Sequence, residues 1–151
     1  MILFEELERT RRETLDYFSL PDDDLAKTYA PGKWSVRFIL HHLCDAETVL
    51  YERIRRVVSE PRQVIWAFDQ DAWAKALDYS DRPLDLSRNI YDAVRAGVLH
   101  EARQHYVSSG DREFVHSETG VRTLREEFDK VAWHNEQHLA QIRRALFAGR
   151  A

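Results

Sequence analysis

Residues 123–146, TLREEFDKVAWHNEQHLAQIRRAL, begin with a helix-starting signal and carry two histidines four positions apart. Thr123 and Glu126 have the spacing of a capping box, in which each side chain satisfies an orphan amide of the other. Phe128, Val131, Ala132, Leu139, Ile142 and Leu146 then recur at three- and four-residue intervals, the apolar stripe of an amphipathic helix. Each residue advances about 100° around the axis; with Phe128 at zero the stripe clusters within roughly 60°, while His138 falls near −80° and His134 near −120°. Both imidazoles therefore share one flank of the stripe. A helix of this kind must bury its stripe against other elements, so the rest of the chain has to supply them.

Three further segments have helical period. The first runs from Leu3 to Phe18, with Leu3, Leu7, Thr14 and Phe18 near whole turns, and ends before SLPDDD (19–24). The second follows APGKW (30–34): Ser35 reads as its N-cap, with Trp34 and Ile39 as a hydrophobic staple across it. Val36, Ile39, Leu43, Leu50, Ile54 and Val57 form its stripe over roughly six turns, to the proline of SEPR (59–62). The third spans Leu86 to Tyr106, with Leu86, Ile90, Ala93, Val94, Gly97 and Val98 predicted to face inward. Residues 60–83 lack a sustained period and read as a long crossover with one short helix, Asp71 to Leu77. SSGDREFVHSETG (108–120) reads as a loop. No segment reads as a convincing strand. The pattern predicts an all-α four-helix bundle with a long crossover connection between helices two and three, one domain over residues 1–151.

Composition agrees with a globular chain: 44% hydrophobic and 32% charged. The 26 acidic and 22 basic residues are intermixed and leave a formal charge of −4, so no basic face is expected to attract nucleic acid. MILFEELERTRRE at the start has neither a signal-peptide core nor a membrane-spanning run, which predicts a cytoplasmic protein. The one cysteine, Cys44, cannot form an internal disulfide and reads as a small side chain rather than a nucleophile.

The same wheel ranks the remaining histidines. Counting from Ile39, Leu43, Ala46, Leu50 and Val57 lie within about 40°, His42 near −60° and His41 near 200°. His42 is thus expected to face the bundle and His41 water. His42, His134 and His138 are the three that can converge, and three neutral imidazoles fill three positions of a tetrahedral divalent ion, leaving the fourth open. Zinc leads; nickel, iron, copper and manganese bind imidazole too. The competing reading is two half-buried polar residues at a helix edge with no ion.

His100 and His105 read as a solvated or interhelical pair, and His116 as a loop residue within reach of the site. Asp45 and Glu136 read as surface charges. Asn135 sits near the centre of the helix-four stripe, where an interhelical hydrogen bond is expected of it, and Glu47 is expected to act similarly at the edge of helix two. Near the mouth, Trp66, Phe68, Asp69, Trp73 and His116 are the candidate substrate contacts; for the two tryptophans a core plug is the competing role. Asn135 stands where a zincin HExxH motif needs its glutamate, and the E-x-x-H from Glu113 to His116 lies in the loop, against a di-iron site.

KWSVRFILHHLCDAE (33–47) and HNEQHLAQI (134–142), about 90 residues apart, with HSETGVRTLREEF (116–128) between them, resemble the signature segments of the DinB-like superfamily. The resemblance implies a four-helix bundle, often homodimeric, holding a divalent metal on three histidines, which match His42, His134 and His138. It also implies thiol chemistry as one possibility: relatives include S-transferases using a low-molecular-weight bacterial thiol and a mycothiol-dependent maleylpyruvate isomerase. A cation lowers the pKa of a thiol or a water that it binds. The expected function is a metal-dependent S-transferase or hydrolase acting on a small molecule. A non-catalytic metal-binding or stress-associated bundle is the alternative, and a metal-free interaction module the third.

Overall fold

Ser35 starts the second long helix as its sequence predicts: its Oγ accepts from the Phe38 amide at 3.2 Å. The computed structural model describes residues 2–60 and 62–148. Its helices are α1 (Ile2–Tyr17), α2 (Asp22–Leu25), α3 (Val36–Ser59), α4 (Gln70–Ala76), α5 (Leu84–His105) and α6 (Leu124–Ala148). The capping box before α6 forms reciprocally, the Thr123 amide donating to Glu126 Oε2 at 2.7 Å and the Glu126 amide to Thr123 Oγ1 at 3.3 Å. α4 matches the short crossover helix within a residue, and α2 is a single turn in the stretch where the sequence suggested only a break.

α1, α3, α5 and α6 form the expected all-α four-helix bundle, with α3 against α5 and α6 and α1 against the same pair. The buried stripes meet in two apolar clusters. One holds Leu3, Leu7, Leu50, Ile54, Phe128 and Val131; the other holds Val36, Ile39, Leu43, Tyr91, Leu139 and Ile142, with Trp34 packed against it. None of the described helices is long and apolar enough to cross a membrane.

Four expectations are corrected. The loop at 108–120 folds into a hairpin of β2 (Glu113–His116) and β3 (Gly120–Thr123), and β1 (Val64–Ile65) from the crossover joins it. β1 pairs parallel with β2, Val64 opposite Val115; β2 pairs antiparallel with β3, Glu113 opposite Thr123 and His116 opposite Gly120. Strands of two to four residues are too short to show alternation in sequence, and pairing with a distant partner stabilises them. Gly120, at φ 79°, supplies the left-handed residue that ends the three-residue turn.

The second correction concerns α5. Leu86 is 50% exposed and Ala93 is exposed, whereas Ser87, Tyr91, Arg95, Val98, Leu99 and Ala102 are buried. The true inner face is rotated one residue, about 100°, from the apolar pattern. The cause is Arg95, whose fully buried guanidinium donates to Glu47 on α3, to the Leu7 carbonyl and Thr10 on α1, and to Asn135 on α6. Asn135 also accepts from the Tyr91 hydroxyl at 2.6 Å and donates to Thr14 at 3.0 Å, so it and Glu47 make the interhelical bonds expected of them.

The third is Asp45, read as a surface charge: it is buried and takes both Arg82 nitrogens at 2.8 Å and the Tyr79 hydroxyl at 2.7 Å. Glu136 is half-exposed, paired with Arg9 and Arg143. The fourth is His41. It was expected in water, yet it is buried, with Nδ1 2.7 Å from Ser87 Oγ. The crossover folds Tyr79 and Arg82 back over α3, and a wheel drawn on α3 alone cannot register that cover.

Candidate metal centre

α3 presents His42 one turn after its first buried residues, and α6 presents His134 and His138 one turn apart across the interface between these helices. One ring nitrogen from each of the three lies within 4.8 Å of the others. His42 Nε2 and His134 Nε2 are 3.1 Å apart, and the ring centroids stand at 5.1, 4.6 and 4.6 Å. Two donors bound to one tetrahedral ion at 2.0–2.1 Å would be about 3.3 Å apart, so the first pair already has the required separation. No cysteine, aspartate or glutamate joins this cluster among the described residues.

Protonation fits the same use. Burial, and then the neighbouring His138, hold the His42 pKa down at about 3; burial also lowers His134, helped by His138 and His42, and burial lowers His138. The rings are therefore neutral at pH 7 and carry a free lone pair. Gln141, one turn beyond His138, selects which nitrogen offers it: its carbonyl oxygen can only accept, so His138 Nδ1, 2.8 Å away, carries the proton and Nε2 is left to bind. The Nδ1 of His42 is buried without a partner among the described residues. Trp34 and Phe68 flank that ring at centroid distances of 5.2 and 6.3 Å. The residues present fit a divalent cation.

Two openings reach the cluster. A pocket of 240 Å³ leads to His134 between Phe68, His116 and Lys130, and one of 260 Å³ leads to His138 beside Trp34 and Gln141. Among the predicted substrate contacts, Phe68 and His116 line the first pocket; His116 is buried on β2. Trp73 is half-buried with its ring 5.0 Å from Phe68. Asp69 is occupied instead as the N-cap of α4, accepting from Asp71 and Ala72 at 3.0 Å. Trp66 is 75% exposed, so it neither plugs the core nor lines either opening.

Sequence reasoning missed Gln141, Lys130 and Arg53. Helical spacing held a signal for the first two, at one turn either side of the histidine pair. Arg53, three turns along α3 from His42, is fixed by a bond to the Trp66 carbonyl at 2.8 Å that no local pattern announces. His100 is exposed and His105 half-buried, 3.6 Å from Glu101, both away from the cluster.

A four-helix bundle with three converging histidines defines a class of protein built around a metal centre, and comparison with known proteins narrows it. The DinB superfamily model matches residues 6–142, and the chain belongs to that superfamily. Two Oceanobacillus iheyensis proteins, each named "Putative metal-dependent hydrolase", are similar to it: one is 31% identical over 85% of this chain and 73% of its own, the other 30% identical over 91% and 78%. Among solved structures, YfiT from Bacillus subtilis, described as "a probable metal-dependent hydrolase with an unusual four-helix bundle topology", superposes with a TM-score of 0.87 at 23% identity. That superposition covers 97% of this chain and 85% of YfiT.

Proposed function

We propose that this chain is a metal-dependent enzyme that holds one divalent cation on His42, His134 and His138 and acts on a small molecule, by hydrolysis or by transfer to a low-molecular-weight thiol. The observation that carries the reading is three neutral imidazoles meeting with no fourth protein donor beside them among the described residues. Structural zinc sites are saturated by protein, whereas catalytic ones keep a position for water or substrate. A cation bound there supplies Lewis acidity and a lowered pKa for the nucleophile.

The chain's own residues do the rest. Gln141 fixes the tautomer of His138, while Phe68 and Trp34 wall the His42 ring from bulk water. The openings beside His134 and His138 admit the substrate. Hydrolysis is favoured as the first reaction to test by the names of the relatives, thiol transfer by the resemblance of the signature segments. The donor set favours zinc, with nickel, iron or manganese as the alternatives. A homodimer in the cytoplasm, each chain forming one unit over 1–151, completes the reading.

Elemental analysis of tag-free protein tests it. One equivalent of cation per chain is expected, lost in His42→Ala, His134→Ala and His138→Ala; uptake unchanged in these variants refutes the site. In the cobalt-substituted protein, a visible spectrum perturbed by small thiols favours transfer, and one indifferent to them favours hydrolysis.

A further inference from the structure

The pocket that ends at His134 has a chemical bias that the three histidines do not explain. Its floor is apolar, from Ala46, Leu50 and Phe68, but three nitrogen donors stand around it: Arg53 from α3, Lys130 from α6 and His116 from β2. The Arg53 side chain is 4% exposed and incompletely satisfied. Its Nη2 is committed to the Trp66 carbonyl, its Nη1 lies 3.4 Å from Glu127 Oε1, and its buried Nε has no partner among the described residues. Lys130, half-buried one turn before His134, makes no hydrogen bond or ion pair among the described residues. His116 accepts at Nδ1 from the backbone amides of Glu118 and Thr119, at 3.2 and 3.3 Å, which leaves its proton on Nε2 as a donor.

Among the buried and half-buried groups, the two cations Arg53 and Lys130 face one carboxylate, that of Glu127; the carboxylate of Glu118 at the rim is exposed and screened by water. Uncompensated cationic charge in a partly desolvated pocket is costly unless an anion meets it. One further negative charge inside the pocket matches its buried cations, and 240 Å³ is below the roughly 300–1,000 Å³ of pockets for drug-sized ligands.

We propose that Arg53, Lys130 and His116 form a carboxylate-binding subsite that orients a small monoanionic substrate against the three-histidine centre. The inference rests on the proposed function for the role of the bound molecule, but the subsite itself is built by groups other than the metal ligands. The carboxylate binds with Lys130 as its mobile counter-charge, Arg53 as the fixed one and His116 as a neutral donor.

Chelator-treated protein tests this without any cation. Isothermal titration with benzoate, and with benzamide as its neutral counterpart, reads the subsite directly. Saturable benzoate binding is expected, with none by benzamide; Lys130→Gln should weaken it by about tenfold or more, and Lys130→Arg should restore it to within about threefold. Equal affinity for wild type and Lys130→Gln, or benzamide binding as tightly as benzoate, overturns the subsite. Cation uptake by Lys130→Gln reports separately on the metal site: one equivalent per chain with benzoate binding lost supports both readings, and one equivalent with benzoate binding intact refutes the subsite alone.

Discussion

Arg95→Met removes the cation at the centre of the bundle, and the loss can be apportioned among its partners. Thr10 keeps its bond to the Glu6 carbonyl at 2.7 Å, and Asn135 keeps Tyr91 and Thr14. Glu47 keeps nothing: both its oxygens are held by Arg95, with Oε2 at 3.0 Å, and its side chain is 3% exposed. The expected cost is therefore dominated by one stranded buried carboxylate, about 3–5 kcal/mol, a large share of the roughly 5–15 kcal/mol that stabilises a domain. Adding Glu47→Leu removes the stranded charge, so the double variant should regain most of that loss, a coupling that a double-mutant cycle isolates. Urea unfolding at pH 7, read as a shift in midpoint at constant slope, measures it. A cost below about 1 kcal/mol for Arg95→Met, or a double variant no more stable than the single, would refute the claim that this ion pair sets the inward face of α5.

Acid should destabilise the metal-free protein well above the carboxylate range. Burial, with Arg82 next in effect, holds His41 at about 4, and burial with His138 holds His42 at about 3, against 6.5 when unfolded. Both folded values are depressed, so the unfolded state binds more protons between them and 6.5, and stability present at pH 7 is lost as pH falls. From pH 7 to 5 each ring accounts for about 2 kcal/mol. Urea midpoints of chelator-treated protein at the two pH values check this; an unchanged midpoint contradicts it. Burial pushes the Cys44 thiol up to about 11, so a disulfide reagent at pH 8 should label it only after unfolding. Rapid stoichiometric labelling of the native protein would show that the thiol is not enclosed as described.

Both kinds of legibility trace to the range over which the relevant physics acts. Capping is local, so Ser35 and the Thr123/Glu126 box could be placed from a few neighbouring letters. A stripe that is apolar throughout also announces its face, which is why the wheels on the second and fourth helices turned His42, His134 and His138 toward one spot. α5 failed the same procedure because its inner face holds Ser87 and Arg95, residues whose burial depends on partners 40 to 88 positions away.

The sequence by itself determined four amphipathic helices, the starts of the two that carry caps, and three histidines on inward flanks, since helical period and capping are properties of adjacent residues. Only the tertiary structure decided that β1 joins the β2–β3 hairpin, that His41 and Asp45 are covered by the crossover, and that Arg53, Lys130 and His116 surround one pocket. Those outcomes depend on segments brought together from across the chain, where a polar group's place is set by the partner that satisfies it and not by its own hydropathy.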